Sequence, residues 1–372
     1  MAKILHVSEF TKGGIETYLN EILRYQLALH DVHLLASEQN SNRDSLNIGA
    51  GRLHLYPYKR KPLFMLKAIR TMARAVKELE PDIVHIHGTF AGLFLRSALL
   101  LKRRRPAIIY CAHGWSFLMD TSPWKKRLYA GIEKLLAVRT DVIIHISRHE
   151  HDMAVRYGLP KEKSVIVYNG VSDVQVSTSP PFEPDPDRIN LLFIGRFDPQ
   201  KGFDLLLETF TEGRFRNVTL YLAGGTVLQD RHFDIPADAV KLGWIDNAEI
   251  ASYIEVCDAV IVPSRWEGFG IVAIEALRGR KPVIASNRGA LPEIVAHGIN
   301  GYIFNFDDKE ELATIIRGLD KARLKEMGEA GERIYRSRFH SDEMNFQIQR
   351  LYEAFAKGDG RRRDSPVVRE YV

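Results

Sequence analysis

The sequence predicts an α/β protein made of two successive doubly wound parallel-sheet domains. Short apolar runs alternate with helical patterns in both halves, a proline-rich pause separates the halves, and glycine-bearing turns follow the apolar runs. The length agrees, because 372 residues exceed what one core of usual size organises.

The first run, KILHVS, leads into a helical pattern from about Gly14 to His30, followed by DVHLLA, DIVHIH, AIIYCAH and DVIIHIS. Runs this short and rich in β-branched residues read as buried parallel strands, and the amphipathic stretches between them as crossover helices. Residues 1–172 therefore form an N-terminal domain. The rhythm stops in SDVQVSTSPPFEPDPDR, where four prolines and small polar residues replace the apolar periodicity, and residues 173–188 read as a linker. INLLFIGR, VTLYLAGG, AVKLGW, DAVIVPS and KPVIAS then restart it, giving a C-terminal domain over 189–340. Residues 341–357 carry a last helix, expected over 343–356 and expected to pack back on the N-terminal domain. The tail 358–372, GDGRRRDSPVVREYV, has the composition of a basic disordered segment.

Composition narrows the function classes. No apolar stretch reaches the roughly 20 residues needed to cross a bilayer, and MAKILHVSEF lacks the pattern of a secretory signal, so a cytoplasmic location is expected. Cys111 and Cys257 stand far apart, which argues against a disulfide framework or a cysteine zinc site. Residues 1–172 hold 26 Lys and Arg against 15 Asp and Glu, a net +11, whereas 173–372 hold 26 against 32, a net −6. A basic half suggests an anionic surface as partner.

In open parallel sheets, ligands bind where strand ends lead into helix N-termini, so the informative residues lie just after each apolar run. In VPSRWEGFGIVAIEA, residues 262–276, Gly268 and Gly270 let the backbone approach a ligand, and the helix that follows offers N–H groups to an anion. Glu267 before that helix and Glu275 within it can accept from hydroxyls on either side of a pyrophosphate. Alternatively, Glu267 is a helix cap and Glu275 a solvated residue. In GRFDPQKG, residues 195–202, Arg196 offers a planar fork and Lys201 a point charge for phosphate oxygens. Neither a Walker loop nor a G-x-G-x-x-G fingerprint is present, which disfavours kinase and dehydrogenase readings. KGGIE, residues 12–16, places Gly13 and Gly14 between strand and helix, as a ligand-facing turn or as a plain turn. His85 and His87 are two apart on one strand, a metal-ligand spacing. With no acidic or cysteine partner nearby in sequence, they read instead as structural or cleft-lining residues, and no metal is expected.

Together, Gly13-Gly14, Gly195-Arg196 with Lys201-Gly202, the Glu267-x7-Glu275 pair within EGFG, GALPE at 289–293 and HGINGY at 297–302 resemble family 4 of the retaining glycosyltransferases, of the bacterial polysaccharide and lipopolysaccharide type. The resemblance spans nearly the whole chain and is most specific in its C-terminal half. It implies the GT-B fold, two Rossmann-like domains facing across a cleft. It also implies transfer of a hexose-type sugar from a UDP- or GDP-sugar to a glycan or lipid-diphosphate-linked acceptor, with retention of configuration and no cofactor. On this chain the resemblance assigns Glu267 to the donor sugar, Glu275 to the ribose, and Arg196 with Lys201 to the diphosphate. Phe269, Gly270 and Ile271 become backbone contacts to phosphate, Gly14 approaches the donor, and His113 lines the cleft near the sugar. His113-Gly114 stands where the family often has His-Asp, and Tyr168-Asn169-Gly170 where it usually has Pro-Asn-Gly.

From Arg52 to Lys77 there are eight Lys or Arg and no Asp or Glu, and Lys67, Arg70, Arg74 and Lys77 recur at helical spacing opposite Ile69, Met72, Val76 and Leu79. This amphipathic helix either packs on its own sheet with a solvated basic face or seats the protein peripherally on anionic lipid. Nucleic acid is not expected, because no aromatic-rich recognition motif accompanies the charge. The competing functions are a nucleotide-sugar epimerase or hydrolase of the same fold and a non-catalytic sugar-nucleotide-binding regulator.

Overall fold

The computed structural model describes residues 1–176, 182–226, 233–236 and 239–356. The chain divides into two compact units, residues 1–170 together with the helix that begins at Ser341, and residues 171–340. The basic tail of 358–372 and part of the proline-rich linker lie outside the described residues.

The first unit runs β1 (Lys3–Ser8), α1 (Gly14–Gln26), β2 (Asp31–Ser37), β3 (Leu53–Tyr56), α2 (Pro62–Leu79), β4 (Ile83–His87), α3 (Thr89–Leu99), β5 (Ala107–Cys111), α4 (Pro123–Ala137), β6 (Val142–His145), α5 (Arg148–Arg156) and β7 (Ser164–Ile166). Its seven strands are parallel and ordered β3-β2-β1-β4-β5-β6-β7. Connections from β1 run one way and those from β4 the other, so the switch point lies between β1 and β4. Register pairs His6 with His85 and Ser8 with His87. Strand alternation then sends Leu5, Val7, Val84 and Ile86 into the core shared with α2, α3 and α4, and the histidines to the opposite face. Helix α1 stops at Gln26, short of the expected His30, because the chain must turn at Leu27–His30 to enter β2 at Asp31.

In α2, Ala68, Met72 and Val76 are buried in that core, while Lys67, Arg70, Arg74 and Lys77 are exposed. The apolar face therefore packs on its own sheet and the basic stripe faces solvent.

The second unit runs β8 (Ile189–Ile194), α6 (Phe203–Gly213), β9 (Val218–Ala223), β10 (Ala239–Gly243), α7 (Ile250–Glu255), β11 (Ala259–Val262), α8 (Ile271–Arg278), β12 (Val283–Ser286), α9 (Leu291–Ile294), β13 (Gly301–Phe304), α10 (Lys309–Arg317) and α11 (Lys321–Arg338). The order β10-β9-β8-β11-β12-β13 is again parallel, with its switch point between β8 and β11. The last helix, α12 (Ser341–Ala356), belongs to the first unit and packs on α1 and β4. Asn345 Nδ2 donates to the Glu21 carbonyl at 3.3 Å, Gln349 Oε1 lies 2.8 Å from His30 Nε2, and Ile348, Leu351 and Tyr352 are buried.

Candidate functional site

Both phosphate-type motifs of the second unit lie at its switch point. GRFDPQKG follows β8 and SRWEGFG follows β11, and these strands are sheet neighbours. The loops interlock through backbone. Arg265 N–H donates to the Gln200 carbonyl at 2.8 Å, and the Arg265 guanidinium reaches the Pro199 carbonyl and Asp204, the latter at 3.0 Å. Gly202 has φ +67°, and a Cβ there would fall 1.8 Å from the Pro263 carbonyl oxygen. Only glycine permits that approach. At Gly289 a Cβ would meet the Glu267 carbonyl oxygen at 1.9 Å, so GALPE supports the EGFG turn from its other side.

This scaffold brings Lys201 and Glu267 together. Lys201 Nζ lies 2.5 Å from Glu267 Oε2, and Ser264 Oγ donates to the same oxygen at 3.1 Å. The Asp198 carboxylate accepts from Lys201 N–H at 3.0 Å, capping the short turn that carries the lysine. Arg196 turns toward its own loop, donating to Gln200 Oε1 at 2.6 Å and pairing with Asp198 at 3.2 Å. Its side chain is 43% exposed, against 23% for Lys201 and 13% for Glu267.

Gly270 caps α8, so the helix-cap alternative for Glu267 falls: no side chain caps this helix, and Glu267 instead holds Lys201. Phe269 is buried against Phe339, leaving backbone as what Gly268, Phe269, Gly270 and Ile271 can offer at the helix N-terminus. Glu275 is also buried, which removes the solvated alternative. It lies further along α8, against a cavity of about 270 Å³ that Arg278, Glu332 and Arg336 also line.

In the first unit, His113 follows β5 with a left-handed φ of +52°, a strained conformation for a residue with a Cβ. Its ring meets the edge of Tyr18 at 4.4 Å and, through Nε2, His87 Nδ1 at 3.0 Å. The chain of contacts continues from His87 Nε2 to His6 Nδ1 at 2.9 Å and from His6 Nε2 to Gln26 Oε1 at 2.8 Å. The Gln26 carbonyl oxygen only accepts, so His6 carries its proton on Nε2. Neutral rings then pass the same polarity along, and His113 is left with a bare Nδ1 acceptor. Burial keeps these rings neutral: His113 is pulled down to about 3 and His6 to about 4, and His85 and His87 also lie well below the usual imidazole value. At neutral pH His113 is therefore a fixed hydrogen-bonding group rather than a proton donor.

His85 Nδ1 lies 2.6 Å from the Tyr352 hydroxyl of α12. The sequence offered no partner for His85 and His87, but His6 joins them: ring nitrogens of His6, His85 and His87 lie within 4.8 Å of one another. The 2.9 Å contact between His6 and His87 uses their facing nitrogens for each other, which favours a hydrogen-bonded histidine set over a ligand set. Gly13, with φ +63°, caps α1 and precedes Gly14 at its first turn, directly after β1 at the first unit's own β1/β4 switch point. His6, Gln26, Tyr18 and Tyr352 were not singled out by sequence. His6 sits in an apolar strand at a period-2 position, and only the β1–β4 register reveals its neighbours.

Comparison with known proteins agrees with this architecture. Residues 12–175 match the model of Glycosyltransferase Family 4, and residues 177–334 that of Glycosyl transferases group 1. The chain is 32% identical over 362 residues to an uncharacterized 41.2 kDa protein in the cps region of Klebsiella pneumoniae, covering 95% of this chain and 99% of that one. It is 26% identical over 361 residues to the phosphatidyl-myo-inositol mannosyltransferase of Mycolicibacterium smegmatis, covering 92% and 90%. Among solved structures, Anabaena Alr3699/HepE in complex with UDP and glucose superposes with a TM-score of 0.75 at 20% identity, covering 95% of this chain and 100% of that one. With two parallel-sheet domains of the GT-B type and both family models matched in order, the chain is a glycosyltransferase and belongs to the family 4 glycosyltransferases.

Proposed function

We propose that the enzyme transfers a hexose-type sugar from a nucleoside diphosphate sugar, with a UDP- or GDP-sugar as donor, to a glycan or lipid-linked acceptor in cell-surface polysaccharide assembly, with retention of configuration. The observation that carries this reading is the Lys201–Glu267 pair at the β8/β11 switch point, beside the N-terminus of α8. A cation, a carboxylate and a row of backbone N–H groups at one point match a diphosphate joined to a hydroxylated ring. The UDP bound by the HepE relative and the cps-region setting of the Klebsiella relative are in keeping with it.

In this reading Glu267 accepts from sugar hydroxyls and Glu275 from the ribose. Arg196, Lys201 and the backbone of Gly268 to Ile271 neutralise the charge that grows on the leaving diphosphate. That charge exists fully only as the bond breaks, so its stabilisation lowers the barrier. The bond between the anomeric carbon and the phosphate oxygen breaks, the acceptor oxygen bonds to that carbon on the same face, and the acceptor proton passes to the leaving phosphate. Side chains and backbone supply the positive charge, so the reading assigns no metal. Gly13, Gly14 and His113 of the first unit serve the reacting sugar, His113 through its Nδ1 acceptor. The basic stripe of α2 holds the enzyme peripherally on anionic membrane.

A panel of UDP-, GDP- and dTDP-sugars, scored by nucleoside diphosphate release with membrane lipid extract, tests this. One donor should turn over, EDTA should leave the rate unchanged, and Lys201→Ala should lower it about a hundred- to a thousand-fold. Unchanged turnover in both Arg196→Ala and Lys201→Ala would remove the diphosphate assignment.

A further inference from the structure

The transfer reading uses His113 and leaves the groups behind it without a role. Gln26, the last residue of α1, is buried and touches two of them. Its Oε1 lies 2.8 Å from His6 Nε2. Burial pushes the Tyr352 phenol up, and a hydrogen bond from the Gln26 side chain pulls it down. A partner that eases ionisation of a phenol is a donor, so the Gln26 amide N–H faces the Tyr352 oxygen and its carbonyl is left for His6. The Tyr352 proton then goes to His85 Nδ1, 2.6 Å away, and the His85 ring keeps its own proton on Nε2.

Every hydrogen bond in the set therefore runs one way. His113 donates to His87, His87 to His6, His6 to the Gln26 carbonyl, the Gln26 amide to Tyr352, and Tyr352 to His85. A neutral imidazole serves either direction by moving its proton between two nitrogens. A buried amide whose carbonyl and N–H face different partners reverses only by turning over, so Gln26 sets the direction. Both ends of the chain carry a cost. The buried His85 Nε2 has no hydrogen-bond partner among the described residues, and His113 holds a left-handed φ of +52°. An unpaired buried N–H and a strained backbone persist where the surrounding structure needs the arrangement they belong to. Here that arrangement ends in a bare Nδ1 on His113.

We propose that Gln26 is a positioning residue for sugar transfer: through His6 and His87 it fixes His113 as a hydrogen-bond acceptor, and Tyr352 of α12 locks the amide that does so. This rests on the glycosyl-transfer reading above and deepens it, because the group of the transferred sugar that meets His113 must then bring the proton, as a hydroxyl does.

Gln26→Met keeps the length of the side chain and removes both polar contacts. The wild-type direction would then leave the His6 N–H buried and unpaired, so the chain should reverse and the His113 proton should move from Nε2 to Nδ1. Ring ¹⁵N NMR of the histidine-labelled apoprotein at pH 7.5 reads this, with circular dichroism verifying each fold. Tyr352→Phe, which frees the amide to turn over, should leave both His113 tautomers populated. With the donor found in the nucleotide-sugar panel, Gln26→Met should raise KM about tenfold and keep kcat within about twofold, because the lost contact holds the sugar in ground and transition states alike. Gln349→Met is the structural control. Gln349 ties α12 to His30 at 2.8 Å outside the chain, so its loss should lower the urea midpoint and leave the His113 tautomer and KM unchanged. A His113 proton that stays on Nε2 in both Gln26→Met and Tyr352→Phe, a reversed tautomer with unchanged KM, or a Gln349→Met that shifts tautomer and KM alike overturns the proposal. The NMR readout needs no donor, which separates the two readings. A protein that turns over no nucleotide sugar loses the transfer reading, and one that turns over a donor while its His113 tautomer ignores Gln26 and Tyr352 loses only the positioning role.

Discussion

Lys201 and Glu267 lie 66 residues apart in sequence, yet each is the other's ion partner at 2.5 Å, with Ser264 sharing the carboxylate. Because neither side chain is more than a quarter exposed, removing one leaves the other partly dehydrated and uncompensated. A double-mutant cycle of Lys201→Met and Glu267→Gln, read by urea unfolding of the apoprotein, should give a coupling between about 0.5 and 3 kcal/mol. Additive effects would mean that the pair does not exist in solution. His113 makes a second prediction at this scale. The chain anchored on Gln26 requires its proton on Nε2, and ring ¹⁵N NMR at pH 7.5 should show that neutral tautomer. A proton on Nδ1 would reverse the polarity of the whole chain and make His113 a donor to its ligand.

The strands and the loops that bring Lys201 to Glu267 were legible in the sequence, because buried parallel strands are short apolar runs and the loops after them converge at the switch point. Arg196, Lys201 and Glu267 came from that rule, and their adjacency depends on β8 and β11 being sheet neighbours. What escaped was the histidine face. His6 and His85 are partners only through the β1–β4 register, and Tyr352 reaches His85 across 267 residues through the returning helix α12. No local pattern encodes those contacts. The same face makes the first unit acid-labile. His6, His85, His87, His113 and, beyond β5, His145, at about 3, are all held neutral by burial. Their native values lie below that of an unfolded imidazole, so the unfolded chain binds more protons as pH falls. Stability is therefore complete above about pH 6.5 and lost below it, by about 1.4 kcal/mol per pH unit for each ring until its native value is reached. Urea midpoints followed by far-UV circular dichroism should drop steeply between pH 7.5 and pH 5, and an unchanged midpoint would contradict the neutral assignment.

Across the whole molecule, charge is distributed unevenly: residues 1–172 carry a net +11 and residues 173–372 a net −6. No helix among the described residues is long and apolar enough to cross a membrane. On α2 the apolar residues Ala68, Met72 and Val76 are used in the core, and Lys67, Arg70, Arg74 and Lys77 form an exposed basic stripe beyond the exposed Leu63 and Leu66 of its first turns. Each basic residue near an anionic surface contributes about 1 kcal/mol, and the attraction decays within the Debye length, about 10 Å at 0.1 M salt. Flotation with phosphatidylglycerol vesicles should therefore recover the enzyme at 50 mM salt, release most of it at 500 mM, and fail with neutral phosphatidylcholine vesicles. Replacing the four stripe residues by glutamine should abolish recovery at low salt without altering the fold, since none of the four side chains is in the core. Binding that survives both high salt and those substitutions would instead place the contact on the exposed apolar residues Leu63, Leu66, Trp124 and Leu128.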